Sequence, residues 1–218
     1  MRRAFLLLIS FFIGFLLNAQ TPLEDSLKLS LTKAANDAER INVLSNLSVY
    51  SMGWDNSQAV KYANEMMEIA EVSRNRTLMI RAFLYNARRY YESSGSQEAV
   101  GKAIVSATKA VELAKGSGLD DYTALAYTYL ARGYRVSGEL DKALNLNNLA
   151  SALVVNSKDD SIRTIVFSAL GSTYLLKNEK LLAFRNFLTA QDIAEEDKRY
   201  ELLRNVYTNL GIFYNVIG

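Results

Sequence analysis

The chain has 218 residues, half of them hydrophobic, with 25 basic and 23 acidic side chains, one proline, and neither histidine nor cysteine. Without those two residue types there are no Ser/His/Asp triads, Cys/His pairs or disulfides, and the usual ligands of zinc, haem and iron–sulfur centres are missing. No enzymatic activity, cofactor or metal is therefore expected, and the near-neutral charge gives no ground for nucleic-acid binding.

Arg2 and Arg3 precede an apolar run from Ala4 to Leu17, and the small residue Ala19 follows it. This is the pattern of a secretory signal over residues 1–19, with cleavage after Ala19. The run is 14 residues long, whereas a membrane span needs roughly 20. No later apolar stretch approaches that length, so no membrane span is expected and the mature chain should be exported, to the periplasm. Without Arg2 and Arg3 its basic and acidic residues balance at 23 each.

From Pro22 onward apolar residues recur at three- and four-residue spacing, and β-branched runs bounded by turns are lacking, which predicts an all-helical chain. Residues 20–40 should form a capping helix. Thr21 is placed to cap it, Pro22 to occupy its first position and Glu24 to reach back, with Leu23, Leu27 and Leu31 facing inward. Beyond it the segments Leu130-Ala131-Arg132-Gly133-Tyr134, Leu170-Gly171-Ser172-Thr173-Tyr174 and Leu210-Gly211-Ile212-Phe213-Tyr214 recur at a period of 40 residues. A fixed period of this size means stacked helical hairpins. Hairpin starts are expected near Ile41, Ile80, Ala124, Thr164 and Arg204. Turns are expected at Gly95 and Gly138 and, in the fourth hairpin, at Asn178, the next best residue for a left-handed turn.

Each hairpin pairs a first helix of the Leu-small-x-x-Tyr type with a second bearing spaced alanines, such as Ala143 and Ala150, or Ala183 and Ala190 flanking Phe187. This pattern resembles the tetratricopeptide repeat (TPR) family over residues 41–218. The resemblance implies a right-handed α-solenoid of about four and a half repeats, the fifth incomplete, that binds a protein or peptide. The last helix is read as apolar all round, from Leu202, Leu203, Val206, Tyr207, Leu210, Phe213, Tyr214 and Ile217. That implies either a truncated product or a homodimer through this helix. Exported arrays of this spacing resemble the N-terminal halves of bacterial sensor kinases and helix-turn-helix regulators. A sensory part of a signal-transduction protein is thus expected, with a free-standing periplasmic assembly scaffold as the alternative and a serine or carboxylate hydrolase as a remote one.

The paired acids Asp120-Asp121, Asp159-Asp160 and Glu195-Glu196 lie at hairpin junctions, where acids cap or favour the start of the coming helix. Gly116-Ser117-Gly118 reads as a helix stop and not as a phosphate loop. In the family, the first helices line the concave face, through the residues one and four places after the small position. Here these are Val49, Arg88, Arg132, Ser172 and Ile212, then Met52, Tyr91, Arg135, Leu175 and Asn215. Arg88, Tyr91, Arg132 and Arg135 are the candidate binding residues, because arginine forks favour carboxylate or phosphate. The competing expectation is that these arginines pair with neighbouring acids or lie along a solvated face. The family's lysine–asparagine carboxylate clamp is not reproduced, although Asn46 and Asn209 occupy comparable positions.

Overall fold

The computed structural model describes residues 22–52, 54–93, 96–196 and 200–218; the expected signal segment 1–19, Thr21 and Gly95 lie outside them. Among the described residues every regular element is an α-helix: α1 (residues 22–33), α2 (Asp37–Ser51), α3 (Asn56–Ser73), α4 (Arg76–Ser93), α5 (Gln97–Ala114), α6 (Asp120–Val136), α7 (Leu140–Leu153), α8 (Asp160–Leu176), α9 (Lys180–Glu196) and α10 (Tyr200–Ile217). They fall into two compact units divided near the start of α4, at Leu78 and Met79.

In the first unit, α2 and α3 form a hairpin. Ile41, Leu44 and Leu47 of α2 are fully buried with Ala59, Ala63, Met66 and Ala70 of α3. The small residues of α3 allow close approach, and the buried Ser48 hydroxyl donates to the Ala59 carbonyl across the pair at 2.8 Å. Pro22 is the first described residue of α1. Leu27 and Leu31 are half-buried, but Leu23 is 54% exposed, contrary to the inward stripe. Glu24 pairs with Lys28 one turn on, at 2.6 Å; its expected reach back to Thr21 lies outside the described residues.

The second unit is a stack of hairpins, α4–α5, α6–α7 and α8–α9, followed by α10. Its core is divided into clusters, each joining a hairpin to the first helix of the next. Ile80 and Leu84 of α4 meet Ala110 and Ala114 of α5 and Ala126 of α6. Ala124, Ala150 and Val154 meet Ile162 and Val166 of α8. Ala183, Phe187 and Ala190 meet Val206, Leu210 and Phe213 of α10. Nearest-neighbour burial of this kind defines a helical-repeat fold.

Helix starts at residues 37, 76, 120, 160 and 200 lie four residues before the five expected. Polar first turns carry little apolar periodicity, so the pattern became visible one turn late. Asp120 and Asp121 sit in the first turn of α6, and Asp159 caps α8 by accepting from the amides of Ser161 and Ile162. Glu195 is different. It lies at the C-terminal end of α9, where a helix dipole disfavours anions, and accepts instead from Gln191 and from the Tyr207 hydroxyl of α10, at 2.8 and 3.0 Å. Asn178 takes the left-handed turn conformation, with φ 62°, that Gly138 takes at 79° in the preceding hairpin. α10 is not apolar all round. Val206, Leu210 and Phe213 form its buried stripe, while Arg204, Asn205 and Thr208 make a polar face.

Candidate functional site

A cavity of about 560 Å³ opens on the second unit. Its lining comes chiefly from the first helices of successive hairpins: Arg88 and Glu92 of α4, Thr128, Arg132 and Arg135 of α6, Ser168 and Ser172 of α8, and Arg204, Thr208 and Asn209 of α10. The helical period explains the convergence. Thr128, Arg132 and Arg135 stand at i, i+4 and i+7 on the side of α6 opposite Ala126, as Arg204 and Thr208 stand opposite Val206 on α10. Asn147 of α7 also contributes. It is 1% exposed, its side-chain amide donates to the Thr173 hydroxyl at 2.8 Å, and its carbonyl oxygen has no partner.

Among the described residues, four arginines and a single carboxylate line this cavity. Arg88 donates to Glu92 at 2.8 Å. Burial works against its charge, but the Glu92 bond and charge outweigh it and leave the pKa raised. Arg132, Arg135 and Arg204 have no carboxylate within ion-pair distance among the described residues. Burial, together with the neighbouring Arg132 charge, pushes the Arg135 pKa down. An unpaired, partly desolvated cation is stabilised by any anion that reaches it, because charge–charge attraction strengthens away from water.

Tyr91 does not line the cavity as expected. It is 9% exposed, packed with Ala87, Ala103, Ala107 and Leu130, and its hydroxyl donates to the Tyr129 carbonyl at 2.8 Å. Its role is to carry Arg132, whose guanidinium carbon stands 4.8 Å from the centre of the ring. Gly133 makes room for this: a Cβ there would fall 2.6 Å from the Tyr91 hydroxyl oxygen and 2.4 Å from Cγ1 of Ile104.

Among the other expected groove residues, Ser172 lines the cavity, whereas Leu175 packs into the α9–α10 cluster and Ile212 and Asn215 are exposed outside it. Asn209 is in the lining, on α10. Arg204 was missed by the sequence because only two positions per repeat were carried over. The signal was present in the i, i+4 spacing of Arg204 and Thr208. Among the described residues no group of three Asp or Glu side chains is placed to hold a metal ion, and no helix is long and apolar enough to cross a membrane.

No family model matches the chain, and no curated protein matches it by sequence. Solved structures do. BtubC (BKLC) from P. vanneervenii superposes with a TM-score of 0.69 at 17% identity, over 92% of this chain and 85% of the other. The apo form of RapI superposes with a TM-score of 0.61 at 16% identity, over 93% of this chain but only 56% of RapI. Together with the hairpin stack, these likenesses define the class: an all-α helical-repeat protein. At such identities the likeness is one of fold.

Proposed function

We propose that this chain is a protein- or peptide-binding scaffold whose second unit takes an acidic peptide segment through Arg132 and Arg135, with Arg204 facing it from α10. The observation that carries this is the set of three arginines that, among the described residues, have no carboxylate within ion-pair distance, converging on one cavity beside an arginine that is already paired. Binding requires no catalytic group, in keeping with the lack of histidine and cysteine. The test is fluorescence anisotropy with labelled acidic, neutral and basic peptides of equal length. Only the acidic peptide is expected to bind, and Arg132→Ala with Arg135→Ala should weaken it by about 1.5–3 kcal/mol, the range for hydrogen bonds to charged groups. Equal binding by the double variant would overturn the assignment.

The basic and apolar N-terminal segment supports export, and a helical-repeat array behind such a segment supports, by analogy of architecture alone, reading the chain as an extracytoplasmic sensory module of a signalling protein. Two outcomes are expected. Fractionation of cells producing the chain should place it in the periplasm with residues 1–19 removed, and the coding region beyond Gly218 should continue into a membrane span and an output domain. A cytoplasmic, uncleaved product would refute export, and a clean stop after Gly218 would favour the free-standing scaffold.

A further inference from the structure

The repeat shows what opens the arginine cavity toward the core at one junction. At offsets of 40 residues, Asn147 of α7 stands where α9 has Phe187, and Thr173 of α8 stands where α10 has Phe213. The rings of Phe187 and Phe213 close the later junction edge to face, with centres 6.2 Å apart. Between α7 and α8 an amide and a hydroxyl take their place, joined by the 2.8 Å bond from Asn147 to Thr173. The smaller pair lets the cavity reach a second helix: among the described residues, Asn147 is the one lining residue that a second helix supplies.

Two buried atoms of lining side chains have no hydrogen-bond partner among the described residues, Oδ1 of Asn147 and Oγ of Ser168. The bonding around Thr173 fixes which end of the Asn147 amide is free. The Thr173 hydroxyl donates to the Ala169 carbonyl at 3.0 Å, so it accepts from Asn147 Nδ2 and leaves Oδ1 unused. Buried polar atoms in proteins are nearly always paired. Here one orphan can only accept and the other can donate.

We propose that this floor receives a primary carboxamide, the side chain of a glutamine or asparagine in the acidic segment assigned to the cavity above, a reading on which this inference rests. The carboxamide N–H donates to Asn147 Oδ1, and its carbonyl accepts from the Ser168 hydroxyl. Other side chains fit the chemistry less well. A lysine ammonium would enter a cavity that already holds Arg132 and Arg135, and like charges repel. A carboxylate has no proton to give Asn147, and an aliphatic chain would leave both atoms unpaired.

The probes are fluorescein-labelled decapeptides of alternating aspartate and alanine, with one glutamine walked through the alanine positions, and a matching set with methionine for glutamine. Each is titrated with the whole chain and followed by anisotropy. In one register glutamine is expected to bind about tenfold more tightly than methionine. Ser168→Ala and, separately, Asn147→Ala should bring that ratio close to one. Ser168 Oγ has no partner to lose, so an unchanged melting temperature for Ser168→Ala separates loss of recognition from loss of fold. Equal binding of the two sets in every register, or a ratio that survives either substitution, would overturn the proposal and leave the acidic-peptide reading standing. Binding by none of the peptides would overturn both.

Discussion

Gly133 shows how a single missing methyl group shapes the arginine site. It stands in mid-helix, where glycine costs about 1 kcal/mol relative to alanine, and its compensation is the depth to which Tyr91 and Ile104 approach. Gly133→Ala is expected to destabilise the chain by about 1–3 kcal/mol through overpacking, and to displace Arg132 from its ring; thermal melts and acidic-peptide binding would register the two effects. The Tyr91 hydroxyl adds a pH dependence. Burial pushes its pKa up, only partly offset by Arg132 and Arg135. A raised folded value means that the contribution to stability is intact below the unfolded pKa of about 10 and is lost as pH rises through the folded value. Tyr91→Phe should therefore flatten the loss of stability above about pH 10, measured by urea unfolding across that range. An unchanged alkaline slope would place the titration elsewhere.

At the scale of helices, the two glycines at equivalent repeat positions should respond in opposite directions. Gly171→Ala forces a methyl group against Phe187, whereas Gly211→Ala enters open space on an α-helix. The first is expected to destabilise by about 1–3 kcal/mol. The second should stabilise by up to about 1 kcal/mol through helix propensity alone. Denaturant midpoints of the two variants would decide it. Much of the element order was legible in the sequence, because the Leu-small-x-x-Tyr pattern reports the packing of one helix against its neighbours, and that packing repeats. The exact starts were not legible from the apolar pattern, which begins one turn inside each helix, although Asp120-Asp121 and Asp159-Asp160 marked where α6 and α8 begin. Arg88, Arg132 and Arg135 were found because their spacing from a small residue fixes the face on which they stand. Tyr91 was misplaced because the same spacing does not reveal depth: only Gly133, on the next hairpin, makes room for a buried ring there.

Across the second unit, stability is distributed among clusters that share no common centre. Phe187 is 1% exposed and central to the last of them. Phe187→Ala should cost about 3–5 kcal/mol, and the loss should be local. In amide hydrogen exchange, α9 and α10 are expected to lose protection while α4 and α5 keep theirs, as nearest-neighbour coupling requires. Uniform loss across α4–α10 would instead show a single cooperative unit.

Within the second unit the position that carries Arg132 recurs on four helices, as Arg88, Arg132, Ser172 and Ile212. Each stands on a helix whose buried stripe lies on another side, so the backbone is held in place without reference to what occupies that position. Three very different kinds of side chain there already share one architecture. The charge, size and polarity presented at this position can thus change one residue at a time while the folding instructions stay untouched. A new ligand preference is a matter of exchanging letters at a few interchangeable addresses, and grafting arginine at Ser172 would be the shortest such edit.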